Sequence, residues 1–82
     1  MSKSNINAES AISQVSLWRY NGKLIYVNSF SIVPQQKGFY FEVEFCIAGE
    51  YKKFDFFGSF LECVNQVADK TEELREELRS RL

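Results

Sequence analysis

The chain of 82 residues has no histidine, one proline, two cysteines and four glycines. Each shortage excludes something. Without histidine there is no side chain that ordinarily titrates near neutral pH and no imidazole to ligate a metal. Cys46 and Cys63 are seventeen apart with no CxxC pair, whereas a zinc site takes four ligands at close spacing, so no metal is expected. No apolar run approaches the roughly 20 residues of a membrane helix. Nothing at the start reads as a secretory leader, so the expected setting is cytoplasmic, with both thiols reduced. The glycines are scattered at turns and make no phosphate-binding loop. There is no nucleophile elbow, no paired-carboxylate motif and no partner to activate Cys46. The reading is of a chain with no catalytic residues, no cofactor and no enzymatic activity.

An excess of charge of either sign is also missing. Ten Lys and Arg stand against eleven Asp and Glu, a net charge of −1. Nucleic-acid binders draw much of their affinity from neutralising phosphates, and this balance disfavours that class. The distribution is even: four basic and three acidic residues up to Ala48, six and eight beyond it.

What is present is a concentration of aromatic residues. The stretch FYFEVEFCIAGEYKKFDFF, Phe39–Phe57, holds eight of the thirteen in the chain. Its first half alternates apolar and polar at period two, the mark of a strand with one buried face. Gly49-Glu50 suits a tight turn with glycine at its first central position, and YKKFDFF reads as the returning strand. That turn would pair Phe45 with Phe54, Val43 with Phe56 and Glu44 with Asp55. Upstream, VSLWRYNGKLIYVNSFSIV is a hairpin about Asn21-Gly22, because both central positions of such a turn need positive φ. It would pair Trp18 with Ile25 and Tyr20 with Lys23. Downstream, Ser59 and Glu62 form a capping box, and Phe60, Val64, Val67, Thr71, Leu74 and Leu78 make one helical stripe over about Phe60–Arg81.

The expected fold is therefore α+β. A four-stranded antiparallel meander is followed by one long helix packed on one face, with residues 15–82 as a single ββββα domain. Residues 1–14 are expected to be flexible or a short helix. Alternation assigns Phe39, Phe41, Val43, Phe45, Ile47, Phe54 and Phe56 to the core face, joined by Val15, Leu17, Leu24, Tyr26, Phe30 and Ile32. The opposite face would collect Trp18, Tyr20, Lys23, Ile25, Val27, Tyr40, Glu42, Glu44, Cys46, Tyr51, Lys53 and Asp55. Tyr and Trp are enriched where proteins bind. The expected partner surface is Trp18, Tyr20, Tyr40, Glu42, Glu44, Tyr51, Lys53 and Asp55.

The helix end DKTEELREELRSRL has nine charged residues in fourteen. The whole helix expected over Phe60–Arg81, about 33 Å at 1.5 Å per residue, would overhang strands of seven residues. Leu74, Leu78 and Leu82 then read as a seam for homodimerisation, which would supply stability that so short a chain lacks.

The order of four antiparallel strands and a helix is similar to that of the single-stranded-DNA-binding transcriptional coactivators of the positive cofactor type. That resemblance is of topology, and their basic strand residues are not evident in this sequence. The first functional reading is a small protein-binding regulator or inhibitor acting as a homodimer, a class that includes the small acidic proteins phages direct at host machinery. The alternatives are a single-stranded nucleic-acid binder using the same aromatics and a structural assembly subunit.

Overall fold

The computed structural model describes Ile12 and residues 17–81. The expected N-terminal segment, Val15 and Leu82 thus lie outside the described residues, except for Ile12, which is helical and buried in the core. Four strands, β1 (Trp18–Tyr20), β2 (Lys23–Gln35), β3 (Gly38–Ile47) and β4 (Glu50–Gly58), precede a helix α1 (Phe60–Ser80). They form one antiparallel sheet in the order β1-β2-β3-β4, and α1 packs across β3 and β4 on one face. The expected α+β architecture is the one that forms. Among the described residues no helix is long and apolar enough to cross a membrane.

The first hairpin turns at Asn21 and Gly22, with φ of 50° and 78°, and pairs Trp18 with Ile25 and Tyr20 with Lys23 as expected. The β3–β4 turn differs. Its central residues are Ala48 and Gly49, with φ of 50° and 88°, rather than Gly49 and Glu50. Two positive φ values fit the twist of a two-residue hairpin, and Gly49 holds its value without steric cost. The pairing moves by two residues. Glu44 lies opposite Lys53, Val43 opposite Phe54, and Asp55 opposite Glu42. The expected confrontation of Glu44 with Asp55 does not occur. A slip of two preserves the side-chain alternation, so the same residues still face the core.

The other difference is a β-bulge in β2. The register with β3 shifts between Val27 and Ser29, so Asn28 is an extra residue. A bulge reverses the alternation beyond it. Phe30 and Ile32 face the helix, opposite Val43 and Phe41, while upstream it is Ile25 and Val27 that do so, opposite Ile47 and Phe45. Leu24 and Tyr26, expected in the core, therefore lie on the bare side. Leu17 is 70 % exposed.

The helix begins as the sequence dictates. The Ser59 hydroxyl accepts from the Glu62 amide at 3.1 Å and the Glu62 carboxylate accepts from the Ser59 amide at 2.8 Å. Its buried residues are Cys63, Val67, Thr71, Leu74 and Leu78, with Phe60 and Val64 half-buried. Thr71 satisfies its hydroxyl on the Val67 carbonyl at 2.8 Å. The expected overhang is absent because the strands are longer than seven residues. Ten residues in β3 span about 33 Å, which matches the helix. Leu74 and Leu78 are 4 % and 2 % exposed inside the chain's own core, so they form no outward seam. Pairs of Arg75 with Glu72, Arg79 with Glu76 and Lys70 with Glu73 lace the exposed side, and Lys52 ties β4 to Glu77 at 3.0 Å.

Candidate functional site

The bare face of the sheet reads as four rows across β2, β3 and β4. The first is Val33, Tyr40 and Phe57. Val33 and Phe57 are 42 % and 62 % exposed, and the Tyr40 and Phe57 rings stack at 5.0 Å. The second row is Ser31, Glu42 and Asp55. The third is Ser29, Glu44 and Lys53, where the Asn28 amide and the Ser29 hydroxyl donate to the Glu44 carboxylate at 2.9 and 3.5 Å. The fourth is Tyr26, Cys46 and Tyr51.

The second row is the electrostatic centre. Glu42 and Asp55 are directly opposite, the arrangement in which like charges repel across a ladder. Among the described residues neither is ion-paired. What lies between them is the Tyr40 hydroxyl, 3.0 Å from Asp55 and 3.5 Å from Glu42. A phenol has one proton to donate, so it cannot fully satisfy both carboxylates. The hydrogen bond to Asp55, followed by partial desolvation and the two negative charges, holds the Tyr40 phenol above its usual value of 10.0. Removing that proton would put a third negative charge in the row.

The fourth row covers a thiol. Cys46 is buried although it lies on the bare face, under Tyr26 and Tyr51. The Tyr26 phenol is also raised, first by the neighbouring Cys46 thiol. Cys63 lies on the helix side, its sulfur 3.8 Å from the carbonyls of Phe39 and Gly58, and burial pushes its thiol up. Both thiols are free, with the sheet between them.

The structure brings together six of the eight expected partner residues: Tyr40, Glu42, Glu44, Tyr51, Lys53 and Asp55 share the bare face. Trp18 and Tyr20 do not join them. They lie on the helix side, packed against the core, with rings parallel at 5.7 Å. The Arg75 and Arg79 guanidinium groups sit 5.7 and 5.6 Å from the Trp18 ring centroid, so Trp18 has cationic partners within its own chain. Lys23 follows Tyr20 to that side. Phe57 and Tyr26, not selected from the sequence, take the vacated places. Phe57 had a signal, since its odd position in β4 shares the alternation of Tyr51, Lys53 and Asp55. Tyr26 had none apart from the bulge.

The chain matches no known protein family, no curated protein and no solved structure.

Proposed function

We propose that this chain is a small non-catalytic protein-binding module whose contact surface is the bare sheet face. The observation that carries this is the opposed Glu42–Asp55 couple, without an ion-pair partner among the described residues, beside the row of Val33, Tyr40 and Phe57. Two opposed carboxylates weaken the sheet they sit in, and a cation placed between them relieves the repulsion. An apolar row alongside supplies area that excludes water around such a pair. The partner this chemistry suits is a protein presenting an Arg or Lys next to an apolar side chain. A regulator or inhibitor of that partner fits a chain of this size.

Charge counts against the nucleic-acid alternative. The bare face carries Arg19 and Lys53 against Glu42, Glu44 and Asp55, whereas stacking grooves for single strands are basic. The test is affinity capture from the native cell with wild type, Asp55→Lys, Phe57→Ser and a helix-surface control, Glu72→Gln. The reading requires a protein retained by wild type and the control and lost from both face variants. Salt-sensitive binding of a single-stranded oligonucleotide, abolished by Phe57→Ser, would transfer the face to the nucleic-acid class.

A further inference from the structure

The two outer edges of the sheet are unlike. β4 carries Glu50, Lys52, Lys53 and Asp55 among its nine residues. Charges of this kind on an edge strand discourage pairing with another chain. β2 meets β1 only over Lys23–Ile25. From Tyr26 to Gln35 it has β3 on one side and, among the described residues, no strand on the other. Those ten residues contain no charge. A long uncharged edge is what natural sheets avoid unless something covers it.

The register says which main-chain groups that edge offers. Gln35 and Gly38 flank a two-residue connection and form the closely spaced hydrogen-bonded pair that closes the β2–β3 hairpin. Bonding alternates back along the strand, so Val33, Ser31 and Ser29 bond to β3, while Phe30, Ile32 and Pro34 point their groups outward. Pro34 has no N–H to offer, and Asn28 is the bulge. These two ladder-ending features stand three residues either side of Ser31.

We propose that the edge is covered by a second copy of this chain, joined antiparallel with Ser31 on the two-fold axis. Phe30 of each copy then exchanges main-chain hydrogen bonds with Ile32 of the other, and two four-stranded sheets become one of eight. On the helix side Phe30 meets Ile32, both apolar and packed against the core of their own copy. On the bare side Ser31 meets Ser31, and Ser29 meets Val33. No charge faces itself across the axis. Other centres fail. An axis on Phe30 would set Ile32 against the bulged Asn28, and an axis on Ile32 would set Phe30 against Pro34. The pairing stands independently of the protein-binding reading. It would also align the Ser31, Glu42 and Asp55 rows of both copies into one acidic band through the axis.

The test uses the full chain. Sedimentation of wild type should give twice the 9.6 kDa of one chain. Ser31→Glu places two anions on the axis, in a row that already carries Glu42 and Asp55, from a position exposed in the single copy, and should return a monomer with an unchanged circular dichroism spectrum. Cα atoms across a non-hydrogen-bonded pair are about 4.5 Å apart, within disulfide range. Mild oxidation of Ser31→Cys should therefore give a covalent dimer, while Ser29→Cys and Val33→Cys should cross-link only when mixed with each other. A wild-type monomer overturns the proposal, whether the Phe30 and Ile32 amides are protected from exchange by the chain's own N-terminal residues or stand open to another protein's strand. A dimer indifferent to Ser31→Glu, or no cross-link from Ser31→Cys, overturns it equally.

Discussion

The helix side and the bare side of this sheet share one backbone and place opposite demands on their side chains. On the helix side Phe41, Val43 and Ile47 are 0 % exposed, and aromatic rings meet edge to face, as Phe41 does with Phe60 at 5.7 Å. On the bare side Tyr51 and Phe57 are 61 % and 62 % exposed. The difference is not one of aromatic content. It lies in whether a ring fills a space that nothing else can fill. Phe41→Ala should therefore lower the unfolding free energy by about 3–5 kcal/mol, comparable to the whole stability expected of a core this small. Phe57→Ser should change it by about 0.5 kcal/mol or less. Urea denaturation of both variants measures the contrast, and equal losses would mean that the bare face is a second core.

The two sides are joined at one tight corner, where the chain leaves β4 and turns onto the helix. Gly38 has φ of 111°, and a Cβ there would lie 2.6 Å from the Gly58 carbonyl oxygen. Backbone, which cannot swing aside, meets it. Gly38→Ala should cost about 1–3 kcal/mol, more than any substitution of an exposed bare-face residue. A near-neutral result would show that the corner relaxes and that the helix is not held to one face by it.

Alternation at period two made the core face of β3 and β4 legible, and the capping box made the helix start legible, because each depends on neighbours within a few residues. The β3–β4 register was not legible. A slip of two leaves every side chain on its face, so the hydrophobic pattern is blind to it, and only the conformation of Ala48 and Gly49 decides. The bulge was not legible either. Nothing in VNSF marks Asn28 as an extra residue, yet that residue sends Trp18, Tyr20 and Ile25 to the helix side and Tyr26 to the bare side. The sheet face of each candidate residue matches the alternation on β3 and β4, which have no bulge, and departs from it on the first hairpin.

The bare face should be improvable in stability and the helix side should not. Glu42→Gln removes one of two opposed charges and should raise the unfolding free energy by about 0.5 kcal/mol or less, with the gain shrinking in high salt. The same substitution should weaken partner capture, as expected where function keeps a destabilised pair. A variant that is less stable would mean that Glu42 has a stabilising partner, and would remove the reason for placing a cation there.

The smallest expected effect is also the most local. The Tyr40 phenol is held above 10.0, first by its hydrogen bond to Asp55. A phenol whose folded value is raised contributes stability that is fully present below the unfolded value. That contribution is lost as pH rises through the folded one, because beyond pH 10 the unfolded chain binds fewer protons than the folded chain. Spectrophotometric titration of wild type should show tyrosinate appearing late, at Tyr40 and at Tyr26. Tyr40→Phe should delete one late component, and Asp55→Asn should move it down. Cys46→Ala should leave that component in place and shift only the other, since Tyr26 owes its displacement first to the Cys46 sulfur. If Asp55→Asn leaves the late component where it was, the phenol is not shared between the carboxylates, and the acidic row loses the hydrogen-bond donor that joins its two members.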